Sequence, residues 1–133
     1  MATSVPTSKT VLIVDDEARV RELERRILEG AGYQVFEAED GDVAIEFLKN
    51  QTPLTLVIAD VDMPNLPGDE LAQQLHALRP GLKVLFVTGH VKRLFQSAPL
   101  LEDNRAFLAK PFTTAGLMEA VTQLVANTIK WAD

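Results

Sequence analysis

Four short apolar runs, each ending in a side chain able to do chemistry, constrain this chain more than any other feature. Val11-Leu12-Ile13-Val14 leads into Asp15-Asp16-Glu17, and Leu56-Val57-Ile58-Ala59 leads into Asp60-Val61-Asp62-Met63-Pro64. Val84-Leu85-Phe86-Val87 leads into Thr88-Gly89, and Phe107-Leu108-Ala109 into Lys110-Pro111-Phe112. Apolar runs without polar alternation are what strands buried on both faces require, and such strands belong to parallel sheets covered by helices. The carboxyl ends of parallel strands reach a common edge, so this pattern gathers three aspartates, a threonine and a lysine into one pocket.

The segments between the runs have helical spacing. Asp16 to Ala31 carries Val20, Leu23, Ile27 and Leu28 toward the core, with Glu22 placed near Arg26, and Gly30 and Gly32 end it. Tyr33 to Glu37 predicts a second strand, Asp42 to Asn50 a short helix, and Leu54 to Ala59 a third strand entered at Pro53. Pro67-Gly68 opens a helix with the stripe Leu71, Leu75 and Leu78, which Arg79-Pro80-Gly81 stops before a strand over Lys83 to Val87. From Val91 to Asn104 the period weakens, because Pro99 interrupts any helix begun at Val91 and Leu100-Leu101 fall out of phase. Arg105 to Leu108 forms a fifth strand, and Thr113 caps a last helix facing inward through Leu117, Val121, Leu124 and either Val125 or Thr128. The alternation predicts an α/β fold: a doubly wound, five-stranded parallel sheet of (βα)5 type with helices on both faces. Residues 1–8 are small, polar and proline-containing, and are expected to be a disordered leader or linker outside the domain.

Composition narrows the chemistry. The 133 residues fit one domain, and 47% hydrophobic residues fill one core. Without cysteine there is neither a disulfide nor a thiolate metal site, so oxygen ligands are the main option for a metal. A net charge of −6 without a basic stripe opposes direct nucleic-acid binding. No apolar stretch reaches the length of a membrane span, and Met1 to Thr10 lacks the apolar core of a signal peptide, so a cytoplasmic location is expected.

Taken singly, the site residues have ordinary readings. Asp15-Asp16-Glu17 suits a helix N-terminus, while Lys110-Pro111 and Thr88-Gly89 suit turns. Together they do not, because carboxylates converging at ~4 Å repel by several kcal/mol per pair at an effective dielectric of about 20. Lys110 supplies one compensating charge, and a hard divalent cation, Mg²⁺, is the expected source of the rest. The cation would also neutralise a phosphoryl oxygen, which makes Asp60 a candidate nucleophile of the aspartyl-phosphate type, with Thr88 and Lys110 contacting the same group.

The conjunction of Asp15-Asp16, Asp60 followed by Pro64 and Gly68, Thr88, and Phe107 before Lys110-Pro111-Phe112 resembles a response-regulator receiver domain over residues 9–131. The resemblance implies a flavodoxin-like sheet of order 2-1-3-4-5 and a phosphorelay function. Asp60 would receive a phosphoryl group from a histidine kinase or a histidine phosphotransfer domain. Asp16 would bind Mg²⁺ directly, Asp15 through water, and the backbone carbonyl of Asp62 would be a further ligand. Thr88 would move inward and Phe107 rotate after it. That movement would alter the face made by the fourth helix, fifth strand and fifth helix, for an unknown output partner or a homodimer. Asp62 and His90 flank the phosphoryl position and are candidates for tuning its loss, whereas His76 is expected to be a surface residue. Slow self-phosphorylation and self-dephosphorylation are the only expected activities. The unusual Leu101-Glu102-Asp103-Asn104-Arg105 leans toward a stand-alone receiver or a piece of a hybrid kinase. The alternative is a haloacid dehalogenase-like phosphatase, since Asp60-Val61-Asp62 also resembles that family's first motif. There, however, the metal-binding acids lie downstream, and Pro64 stands where threonine or serine is usual. A degenerate receiver serving only as a binding module fits less well, because every charged site residue is present.

Overall fold

A computed structural model describes residues 9–50, 53–62, 68–89 and 105–126. Five strands, β1 (Thr10–Val14), β2 (Gln34–Ala38), β3 (Leu56–Asp60), β4 (Lys83–Thr88) and β5 (Arg105–Ala109), form one sheet ordered β2-β1-β3-β4-β5, all neighbours parallel. The helices among the described residues are α1 (Ala18–Gly30), α2 (Gly41–Lys49), α3 (Gly68–Leu78) and α4 (Thr114–Ala126), the last being the one expected from the sequence as the fifth. The 2-1-3-4-5 order that the receiver resemblance implies is therefore the order observed, while the stretch from Val91 to Asn104 lies outside the described residues.

Burial explains why the central strands read as unbroken apolar runs. Every residue of β1 and β3 is buried, with successive side chains entering opposite layers. Leu12, Val14, Val57, Ala59, Val84 and Phe86 pack with Ala44, Leu48, Leu71 and Leu75 of α2 and α3. Val11, Ile13, Leu56, Ile58, Leu85 and Val87 pack with Leu28 of α1 and Leu117, Val121 and Leu124 of α4. The edge strand β2 instead mixes exposed, half-buried and buried positions.

Local signals fix the helix ends. The Asp40 carboxylate accepts the Val43 amide at 2.9 Å, opening α2 one residue before the expected start. Thr113 Oγ1 accepts the Gly116 amide at 2.9 Å, as its capping position predicts. Gly32, with φ of 95°, turns the chain from α1 into β2. Arg21 and Arg25 both pair with Glu37, tying α1 to the β2 edge.

The inner face of α1 departs from the expected stripe. Leu23 is 49% exposed, whereas Glu24 is buried one turn before Leu28, on the same side of the helix. Glu24 Oε2 has no hydrogen-bond partner among the described residues. Burial pushes this carboxyl from 4.5 up to about 8, with the charge of Asp15 adding to the push and that of Lys110 opposing it. The unfolded chain releases this proton near pH 4.5 and the folded chain near 8. Between those values the folded state binds more protons, so this group's contribution to stability is complete below the lower value and is lost as pH rises through the upper one. Glu24→Leu should therefore raise the melting temperature, and by more at pH 8 than at pH 5, the gap growing by at most about 1.4 kcal/mol of stability per pH unit. Thermal melts at the two pH values check this; a gap independent of pH would contradict it.

Candidate functional site

The register of the sheet assembles the pocket. Val14 pairs with Ala59, which brings Asp15, the next residue, beside Asp60 at the end of β3. Thr88 ends β4 beside Ala109, and Lys110 follows Ala109 directly. The Lys110 amide donates to the Thr88 carbonyl at 2.8 Å and the Val61 amide to the Val87 carbonyl at 3.1 Å, so the sheet pairing continues into the loops that carry the site.

Asp15, Asp16 and Asp60 each offer a carboxylate oxygen, and these oxygens lie within 4.8 Å of one another. Asp15 and Asp60 are buried and Asp16 is exposed. Lys110 Nζ stands 3.2 Å from Asp60 Oδ1 and 4.0 Å from Asp62 Oδ2. Asp60 Oδ1 also accepts the Asp62 amide at 2.8 Å, which fixes the carboxylate against the turn that follows its own strand.

The electrostatics follow from this crowding. Burial is the largest influence on Asp15 and raises it from 3.8 to about 6; the Glu17 amide, donating to Asp15 Oδ1 at 2.8 Å, pulls the other way, and Asp60 adds repulsion. Burial works against the Lys110 ammonium, but Asp60, Asp15 and Asp62 together hold it above its ordinary range. The pocket is an anionic cluster that one lysine only partly neutralises.

Thr88 is buried, and its hydroxyl donates to Asp62 Oδ1 at 2.8 Å, while the Gly89 amide donates to Asp62 Oδ2 at 2.8 Å. Phe107 is half-buried and stacks on Phe86, its register partner, with ring centroids 5.4 Å apart. His76 lies exposed near the end of α3, away from the pocket edge. His90 lies outside the described residues. Two contributors escape a reading of the sequence alone. Arg21 Nη1 donates to the Asp15 carbonyl at 2.6 Å and anchors the β1–α1 turn, and the Gly89 amide meets Asp62. An arginine one turn into the helix after an aspartate pair is the available clue to the first; the second depends on a turn geometry that composition does not encode.

Residues 11–122 match the response regulator receiver domain family. The sensor kinase CckA of Brucella abortus (strain 2308) is 34% identical over 125 residues, covering 93% of this chain but 13% of the kinase. The response regulator receiver protein CpdR of the same organism is 31% identical over 122 residues, covering 88% of this chain and 97% of that protein. A crystal structure of a response regulator receiver protein from Sinorhizobium medicae WSM419 superposes with a TM-score of 0.78 at 30% identity, covering 90% of this chain and 97% of that one. The chain belongs to the response regulator receiver domain family of two-component systems. No helix among the described residues is long and apolar enough to cross a membrane.

The raised Asp15 carboxyl yields a stability test. Holding this carboxyl near 6 rather than 3.8 amounts to roughly 3 kcal/mol of penalty on its ionised form. Asp15→Asn keeps an oxygen for the Glu17 amide and removes one converging charge, so it should melt several degrees above the parent at pH 7.5 without metal, with the gap shrinking toward pH 5. Calorimetry in the presence of chelator checks this; an equal or lower melting temperature would contradict the crowding.

Proposed function

We propose that this receiver accepts a phosphoryl group on Asp60 from the phosphohistidine of a histidine kinase or histidine phosphotransfer domain, and signals through a change of surface. The observation that carries the reading is the Asp60 carboxylate at the end of β3, held 3.2 Å from Lys110 and crowded by two further acids. An Asp60 carboxylate oxygen forms the new bond to phosphorus as the phosphorus–nitrogen bond of the donor breaks, and the imidazole leaves with the bonding pair and takes up a proton. Lys110 balances charge on the phosphoryl oxygens, and Thr88 donates its hydroxyl to one of them.

The donor set fits Mg²⁺, because it is all hard oxygen and the acids of the pocket exceed its cations. Asp15, Asp16, Asp60 and the backbone carbonyl of Asp62 would hold it, and when bound it supplies positive charge that lets a carboxylate approach phosphorus. As Thr88 moves toward the phosphoryl group, Phe107 leaves its stack on Phe86 and reshapes the surface of β5, α4 and the segment before them. That surface serves an output partner or a second phosphorylated copy. The reading takes residues 9–131 as the receiver and 1–8 as a leader, in the cytoplasm, either standing alone or as part of a hybrid kinase. Slow self-phosphorylation and self-dephosphorylation complete its activities, and no direct contact with nucleic acid is involved.

With acetyl phosphate or phosphoramidate and Mg²⁺, the parent protein should gain one phosphoryl group by intact-mass analysis. Asp60→Asn should gain none, while keeping a cooperative melt. Retained labelling in Asp60→Asn would overturn the assignment, and catalytic turnover of a generic phosphate ester would favour the phosphatase reading instead.

A further inference from the structure

Three donors suited to an anion converge on the Asp62 carboxylate. Its two carboxylate oxygens each accept a hydrogen bond at 2.8 Å, one from the Thr88 hydroxyl and one from the Gly89 amide, and Lys110 Nζ lies 4.0 Å from Oδ2. These are a hydroxyl, a backbone amide and an ammonium converging on one small anionic group, a set of donors that suits a phosphoryl group equally well. The Asp62 amide is fastened to Asp60 Oδ1 at 2.8 Å, so the competing carboxylate is tethered beside the nucleophile it competes with.

We infer that Asp62 is an internal latch: its carboxylate mimics the phosphoryl group at Thr88 and Gly89 and holds the domain in its inactive arrangement until phosphorylation displaces it. The inference rests on Asp60 being the phosphoryl acceptor, and adds a regulatory element to that site. Two features support it beyond the contacts themselves. Thr88 is buried, so an acceptor for its hydroxyl has to come from within the pocket, where Asp62 supplies one. The latch is also charged, so releasing it matters more than breaking two neutral hydrogen bonds would. A receiver whose competent state is only fractionally populated pays that fraction in apparent affinity for its activating group. Asp62 thus sets how readily the domain is switched on, by a route different from any effect on the water that later removes the phosphoryl group.

Asp62→Ala should be labelled by phosphoramidate at least fivefold faster than the parent and should bind fluoroberyllate, with Mg²⁺ present, at least fivefold more tightly. In the unmodified protein the Gly89 amide proton resonance, shifted downfield by its carboxylate partner, should move upfield in Asp62→Ala. Removal of a nearby negative charge could by itself speed an anionic donor, so the deciding comparison is a double-mutant cycle with Thr88→Val. A latch acting through the Thr88 hydroxyl requires the Asp62→Ala acceleration to fall to less than half in the Thr88→Val background, whereas an undiminished acceleration would mean a general charge effect and overturn the latch. Normal labelling of the parent with equal rates in Asp62→Ala would also overturn it while leaving Asp60 as acceptor. Failure of both proteins to take label would overturn the acceptor reading and the latch together.

Discussion

The ion pair between Lys110 and Asp60 is the interaction on which the rest of the pocket depends. Three carboxylates drawn to one sheet edge are unfavourable neighbours, and burial of two of them makes the repulsion harder for water to screen. Lys110 enters from β5, two strands away from Asp60 in the sheet, so the charge balance depends on the whole β3-β4-β5 register. The pairing of Thr88 with Ala109, continued by the Lys110 amide, is what delivers the ammonium to the carboxylate. Local conflict of this kind, tolerated because the surrounding sheet over-determines the geometry, marks a site kept for chemistry.

Two apolar layers supply that over-determination. Alternate residues of β1, β3 and β4 fill opposite faces, so the strands cannot slip by one residue without exchanging the layers. Asp15, Asp60 and Thr88 each follow directly from a buried residue of one of these strands. Asp62 differs, since it lies beyond β3 in a turn and reaches Thr88 across strand ends. The site therefore combines Asp15 and Asp60, seated at buried strand ends, with Lys110 from the half-buried β5 and with the contact that Asp62 makes to Thr88 across strand ends.

The central strands were legible in the sequence because burial on both faces leaves an unbroken apolar signature, although strand ends were not: β2 runs one residue later than expected, and β3 starts at Leu56 rather than Leu54 and ends on Asp60. The phase of α1 was not legible: an apolar count favours Leu23, yet the helix turns Glu24 inward in line with Leu28. A glutamate at a core position carries no periodic signal, and only tertiary packing reveals it. The gathering of Asp15, Asp16, Asp60 and Lys110 follows from strand ends and could be anticipated. The paired hydrogen bonds from Thr88 and Gly89 to Asp62 could not, because they depend on the turn after β3 and on a side-chain direction that spacing does not determine.

The central claim is that one carboxylate, Asp60, is the covalent acceptor in a pocket that holds several. Reducing the phosphorylated protein with borohydride converts an acyl phosphate to an alcohol, and peptide mapping by tandem mass spectrometry then locates the modified residue. The account predicts reduction at position 60 alone, dependent on prior treatment with donor and Mg²⁺. Reduction at position 15, 16 or 62, or donor-independent labelling, would contradict it.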